Sequence, residues 1–376
     1  MSVEQRSRQD LNLNPCTSLA HRGKNEKHKG KHEQLSMFPH PWERIGSRAK
    51  DKEAIFNNLL FHINVESLRE AYNALDGSKA LGIDGISKAE YGKNLSQSLG
   101  DLATKIQRGS YKPQPKREKL IPKGNGKTRP IAIGCFEDKL VEWCVHKILE
   151  CIYEPLFIRN SFGFRPNRSA HGAIKAVYYS LKDNRRPFVV EIDFSNFFNT
   201  IPHGKMMKVL KEKITDRRFK GLVGRFLKCG ILRESGLMTP SEVGTPQGSV
   251  MSPMLANIYL HEVLDRWFLE NHASYNNIVV RYADDAVFFF KKEETSTEFV
   301  KALTDRVTMY GLTLNQEKTK VVNFHREENN HFHFLSFTFY WGKKRRCRTR
   351  QLKLKTQKEK LIRMEPLCHI LNRNKS

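Results

Sequence analysis

Three carboxylates give the sequence its strongest chemical signal. Asp284 and Asp285 lie side by side in NIVVRYADDAVFFF (277–290), between two apolar runs rich in β-branched and aromatic residues. Asp193 closes another such run, FVVEIDF (188–194), about 90 residues earlier. A β-rich run on either side of a tight acidic break reads as a β-hairpin with the carboxylates at its tip. Adjacent carboxylates repel, so a positive charge belongs near them. Strands that each deliver a carboxylate to one place can hold a pair of divalent metal ions. A buried strand pair with a solvated acidic turn fits the same residues, and the hairpin by itself leaves both readings open.

The remaining pattern supplies elements to position such a tip. Ile55, Leu59, Leu60, Ile63, Leu68, Tyr72 and Leu75 recur at helical spacing and predict a helix over 54–75, ended by Gly77 and a glycine-containing loop. YKPQPKREKLIPKGNGKTRPIAI (111–133) reads as two β segments around a Gly-Asn-Gly turn. Its Lys112, Lys116, Arg117, Lys119, Lys123, Lys127 and Arg129 suit phosphate contact, or simply a solvated charged face. The continuous apolar stripe from Leu140 to Ile152 is a core helix. Helical patterns follow the turns of 161–174 and the Pro-Gln-Gly turn of 245–264, and also cover 205–228 and 297–310, the last capped by Gly311. Strands are expected at 320–324 and 333–341.

Composition narrows the partners. The 376 residues carry 65 Lys or Arg against 40 Asp or Glu, a formal net charge of +25. An excess of that size points to nucleic acid. The seven scattered cysteines contain no C-x-x-C pair, which suggests a reducing, cytoplasmic setting. No apolar run approaches the length of a membrane span, and no secretory leader is visible, so no membrane partner is expected. Residues 1–50 read as a basic, largely flexible extension. Cys16, His21, His28 and His32 within it fit a solvated arm better than a zinc site, because no second cysteine cluster accompanies them.

In chain order, KALGIDGIS, IPKGNGKTRPIAI, SFGFRPNRSAHGAI, EIDFSNFF, GTPQGSVMSPMLANIYL, RYADD, GLTLNQEKTK and FLSFTF resemble the motifs of reverse transcriptases encoded by group II introns. Each motif alone is weak; the ordered set, over roughly residues 75–341, is specific. The resemblance implies an α+β right-hand polymerase fold, with fingers over 51–185 and an antiparallel-sheet palm over 186–342. It implies RNA-directed DNA synthesis from deoxynucleoside triphosphates, on an RNA template (intron RNA among them) and a DNA primer, with two magnesium ions. Asp193, Asp284 and Asp285 match the catalytic carboxylates, and with Phe194 beside Asp193 they form the metal-site candidates. Lys123 and Arg129 match the cations that clamp the triphosphate, and Phe198 the aromatic that excludes a 2′-hydroxyl. Gln247 matches a residue beside the nascent base pair, and Lys318 a lysine near the reacting groups. Arg165 is a candidate for template contact or for a structural ion pair, and Lys343, Lys344, Arg345 and Arg346 are candidates for RNA contact.

Three departures from the family pattern stand out. Asn199 follows Phe198 where aspartate is common, and Leu335-Ser336 stands where Leu-Gly is usual. Only about 35 residues follow Trp341. Residues 343–376, with 13 Lys or Arg against two Glu, read as the basic start of an incomplete thumb. Its first helix would carry Lys353, Lys355, Lys358 and Lys360, and a second chain is one source for the remainder. The alternatives are an RNA-binding maturase remnant with an impaired active site and a related enzyme recruited to defence.

Overall fold

The computed structural model describes residues 40–124, 127–239, 243–273, 276–343 and 349–357. The N-terminal part is helical, with α1 (Pro41–Arg48), a 3-10 turn (Leu59–His62), α2 (Val65–Ala74), α3 (Lys88–Tyr91) and α4 (Leu95–Arg108). A hairpin of β1 (Lys116–Gly124) and β2 (Lys127–Ile133) follows, then α5 (Phe136–Tyr153) and α6 (Ala170–Leu181). Next come β3 (Phe188–Ile192), α7 (Phe197–Thr200), α8 (His203–Lys213), α9 (Arg217–Lys228), β4 (Ile231–Leu232) and β5 (Met238–Thr239). A helical rod holds α10 (Ser252–Leu260), a π turn (His261–Arg266) and α11 (Trp267–Asn271). The chain then forms β6 (Ile278–Tyr282), β7 (Asp285–Phe290), α12 (Glu293–Met309) and β8 (Lys320–Asn323). It continues through β9 (His331–Phe334), β10 (Phe337–Lys343) and β11 (Arg350–Thr356).

The central sheet has the order β6-β7-β3-β8 and is antiparallel throughout. Side chains alternate across a strand, and here the alternation divides two cores. Val190, Ile192, Phe288 and Phe290 enter one core with α5, α10 and α12. Val189, Val280, Val287 and Phe289 enter the other with α6, β9 and β10. Burial on both faces explains the unbroken apolar runs that flank the acidic residues. The β1–β2 hairpin extends through β4 and β5 as a separate sheet, and β11-β10-β9 form a third.

Several expectations change. The predicted helix over 54–75 is two elements: Asn58 adopts φ 57°, and a capping box between Asn64 and Ser67 starts α2 afresh. The extension read as flexible to residue 50 contains α1, whose Ile45 packs into the first core. Cys16, His21, His28 and His32 lie outside the described residues. Lys353 and Lys355 belong to a strand, not a helix. QLKLKT alternates with period two, and β11 pairs with β10 so that Leu352 meets Trp341 in the second core. Lys358 and Lys360 lie outside the described residues. Among the described residues no helix is long and apolar enough to cross a membrane.

The β9–β10 hairpin turns through Leu335 and Ser336, at φ 47° and 74°. Positive φ at both central residues is the type I′ pattern, for which a glycine or asparagine is preferred. Ser336→Gly should therefore raise stability by about 1 kcal/mol, measured as a higher urea midpoint at unchanged slope. A lower midpoint would mean that contacts of the serine side chain outweigh the backbone strain.

Candidate active site

The sheet delivers Asp193 and Asp284 to one cleft from adjacent strands, β3 and the β6–β7 turn. Asp193 follows the last residue of β3. Its own carbonyl accepts from the Asn315 N–H at 2.7 Å, and the Ser195 N–H donates to the Thr313 carbonyl at 2.8 Å. These bonds fix the chain beyond the strand.

Asp284 sits in a two-residue turn, with Tyr282 paired to Asp285 across it. Ala283 takes the strained first position at φ 55°. A side chain on Gly163 would bring its Cβ to 2.3 Å from the Ala283 nitrogen, so only glycine allows this close approach. Arg281, fully buried, holds the turn from beneath. Its Nη1 donates to the Ala283 carbonyl at 3.0 Å and to Asn257 Oδ1 at 2.9 Å. Its Nε and Nη2 donate to both carboxylate oxygens of Asp265, at 2.8 and 2.5 Å. Asn257 in turn donates to the Gly163 carbonyl at 2.7 Å. Burial would raise the Asp265 carboxyl, but the Arg281 guanidinium overrides this and holds it below the usual aspartate range.

The cleft, about 340 Å³, is walled on the far side by the β1–β2 hairpin and the 244–248 loop. Arg129 Nε donates to Gln247 Oε1 at 2.6 Å, and the Ala132 N–H donates to the Gln247 carbonyl at 2.7 Å. Gly248, at φ 100°, lies so close to β2 that a Cβ would sit 2.6 Å from Ile131. The same loop seats Phe198: the Thr245 N–H donates to the Phe198 carbonyl at 2.6 Å. The Phe198 ring is half-buried against Phe197 and lines the cleft. Lys318 pairs with Asp193 at 3.0 Å from a largely exposed position. Burial, and then the Asp193 charge, push the Asp284 carboxyl above its ordinary range.

Not every candidate joins this group. Asp285 opens β7, is exposed, and does not line the cleft. Arg165 is buried, with Nε and Nη2 on Glu154 and Nη1 on the carbonyls of Ile158 and Ser161. That environment makes it a structural ion pair and not a template contact. Phe194 lines the cleft, but its side chain is buried, so only its main chain is available to a metal. Lys123 lies on β1, but its side chain is outside the described residues. Lys343 is exposed at the end of β10; Lys344, Arg345 and Arg346 lie outside the described residues. Lys116, grouped above with the hairpin cations, is buried on Glu142 at 2.5 Å, and Arg117 donates to the Leu81 carbonyl.

Comparison with known proteins decides the family. Residues 121–339 match the reverse transcriptase (RNA-dependent DNA polymerase) family. The chain belongs to the reverse transcriptases.

Its relatives include the Escherichia coli K12 protein YkfC, 34% identical over 279 residues, which cover 65% of this chain and 73% of that protein. The group II intron-encoded protein LtrA of Lactococcus lactis is 36% identical over 231 residues, covering 61% of this chain and 38% of LtrA. Nuclear intron maturase 4 of Arabidopsis thaliana is 22% identical over 225 residues, or 58% of this chain and 26% of that protein. The chain thus spans under two fifths of LtrA and about a quarter of the plant maturase, and it groups with the group II intron type of reverse transcriptase. The family implies a palm and fingers polymerase fold, binding of an RNA template and DNA primer, and general use of magnesium. Asp193 and Asp284 suit such an ion: both are hard oxygen donors, and Asp284 is half-buried beside a like charge that a cation would relieve. Among the described residues no cluster of three metal-binding side chains exists, so water and phosphate oxygens would complete any coordination.

Motif reading misses the support beneath the reverse transcriptase's acidic turn. The signal available was Arg281 inside the apolar run IVVRY, since a charge in a buried strand demands a buried partner. Asp265→Ala should cost about 3–5 kcal/mol, because it strands the Arg281 charge; urea denaturation measures this. Replacing both partners, with Asp265→Leu and Arg281→Met, should recover most of that stability while primer extension stays low. Full activity in the double variant would show that Arg281 does not position the turn.

Proposed function

We propose that the chain copies RNA into DNA at the cleft between the central sheet and the β1–β2 hairpin, using two magnesium ions. The observation that carries this reading is the meeting of Asp193 and Asp284, from adjacent strands, opposite Arg129, Gln247 and Phe198. Residues 51–185 then act as fingers and 186–342 as palm. Asp193 and Asp284, with the Phe194 main chain, would hold the ions, and Asp285, exposed at the start of β7, would add negative charge nearby. Bound there, magnesium lowers the pKa of the primer 3′-hydroxyl and neutralises the triphosphate.

Phosphoryl transfer depends on positioning and charge stabilisation more than on acid–base side chains. Arg129, joined by Lys123, grips the triphosphate. Its bond to Gln247 ties that grip to the loop beside the templating base, and the loop seats Phe198 under the sugar. Lys318 neutralises Asp193 before substrate arrives and then turns to phosphate. The basic C-terminal stretch around Lys343 contacts the RNA. By analogy with the intron-encoded relatives, the protein also binds its intron RNA to aid splicing. The cytoplasm is the proposed setting, which suits the free thiols of Cys135, Cys144, Cys151 and Cys229.

Asp284→Ala should lower primer extension on an RNA template with magnesium by at least about 10³-fold, with the melting temperature held or raised. Extension near the wild-type rate would remove Asp284 from the chemistry. Phe198→Ala should reduce discrimination against ribonucleotides by roughly tenfold or more, read from the ratio of kcat/KM for paired deoxy- and ribonucleotides. An unchanged ratio would make Phe198 ordinary packing.

A further inference from the structure

A second positive surface lies outside the cleft. The segment from Arg159 to Arg186 carries seven Lys or Arg against a single acid, Asp183. On α6, His171, Lys175 and Tyr179, with Lys182 at its C-cap, recur at helical spacing and are all exposed. Ala173, Ile174, Val177 and Leu181 on the same helix pack into the second core. The helix therefore turns a basic, aromatic stripe away from the sheet. Beside it runs a groove of about 670 Å³, lined by Arg159, Arg168, Lys175, Tyr179 and Arg186. Through Arg186 it continues into a hollow of about 520 Å³ that holds Lys291 and His325. Among the described residues neither hollow is lined by a carboxylate, and neither shares a lining residue with the catalytic cleft.

Two of these cations, Arg168 and Arg186, are held in place yet have no carboxylate partner among the described residues. Arg168 donates from Nη1 to the Arg159 carbonyl at 2.8 Å and lies over the Phe162 ring. Arg186 donates from Nε to the Asn276 carbonyl. Among the described residues, the ion pairs of this region, Arg165 with Glu154 and Arg185 with Asp183, leave out Arg159, Arg168, Lys175, Lys182, Arg186 and Lys291. Like charges gathered without carboxylate partners among the described residues are relieved by an external polyanion, whose binding also releases counterions. Guanidinium groups anchored by one edge offer the other to phosphate in a fixed orientation. Tyr179 is 53% exposed, with the Lys182 ammonium 4.8 Å from its ring centre, and suits stacking by an unpaired base.

We infer that this surface binds a single-stranded RNA segment, by phosphate contact along the groove and by a base stacked on Tyr179, apart from the strand being copied. The inference rests on the reading of the chain as an RNA-handling polymerase and adds a second contact to it. β3 separates Arg186 from Asp193, and at about 3.3 Å per residue the two ends of that strand segment lie roughly 20 Å apart. RNA held at the Arg186 end is therefore remote from the reacting groups.

The test uses the full chain with Arg159→Glu, Lys175→Glu and Lys291→Glu combined, all at exposed positions. Binding of a 40-nucleotide RNA with an unpaired loop is measured by filter retention across a salt series. Alongside it, extension of a short primer–template is measured. The expected result is an affinity loss of tenfold or more and a salt slope reduced by roughly 2, at about 0.7 per single-strand contact, with short-template extension within twofold of wild type. Tyr179→Ala should weaken RNA binding about tenfold while leaving the slope unchanged, as loss of one stacked base predicts. An unchanged affinity and slope would overturn the proposal. So would a parallel fall in short-template extension, which would merge this surface with the copying cleft. A loss confined to single-stranded DNA of the same sequence would overturn the assignment to RNA. Binding is read without synthesis, so inactivity of the polymerase would count against the proposed function and leave this result standing.

Discussion

The buried pair of Arg281 and Asp265 is the constraint on which the catalytic end depends. Both side chains are fully buried and share two hydrogen bonds. Removing two charges from water costs several kcal/mol per ion, so such a pair adds little net stability over an apolar replacement. What it supplies here is position. The remaining Arg281 donors reach Asn257 and the Ala283 carbonyl, and Asn257 reaches Gly163. Three segments distant in sequence are thereby locked around one strained turn. Strain of this kind persists where the surroundings over-determine it, and here it aims Asp284 at Asp193.

The second wall of the cleft obeys a similar logic with different groups. Gly244 and Gly248 let the backbone of one loop touch both the Phe198 segment and β2. His203 Nε2 donates to the Gly244 carbonyl at 2.7 Å and anchors the loop from below. The hairpin is fixed at its base by buried Lys116 on Glu142, whose other oxygen accepts from the Val250 N–H. Cleft-lining groups thus sit at the ends of supports that are themselves buried and paired. Arg129 and Lys318, by contrast, are exposed and paired at the cleft surface, with Gln247 and Asp193.

Much of this was legible in the sequence. Asp193 and Asp284 were readable because each interrupts or closes an apolar strand, and local pattern is enough to place them. The Phe198 and Gln247 positions required the ordered motif set, since a single aromatic or amide carries no signal by itself. Reading failed where charge was taken as a proxy for exposure. Lys116 looks solvated in a basic chain, yet it is buried on Glu142; for Arg165 the structural ion pair, one of its two readings, is the arrangement found. The β11 segment reads as a helix when Leu352 and Leu354 are grouped with Leu361 and Ile362 as one apolar side, whereas Leu352 and Leu354 by themselves alternate with period two, as a strand requires. The Arg281–Asp265 pair joins a strand to a π turn, a juxtaposition that no local periodicity encodes.

The central sheet is packed on both faces, and β3 lies inside it between β7 and β8. Strands so enclosed cannot open by local fraying, and their amides exchange with solvent only when the whole unit unfolds. Asp193 follows directly on enclosed β3, and Asp284 sits in the turn between β7 and the edge strand β6, so slow exchange is expected beneath Asp193 in particular. Opposite them, Arg129 on the hairpin is exposed, whereas Gln247 sits in a loop whose Gly244, Thr245 and Pro246 are buried. Freedom in the cleft is thus uneven: the acidic floor rests on an enclosed sheet, and the exposed Arg129 side chain on the opposite wall has the most room to rearrange.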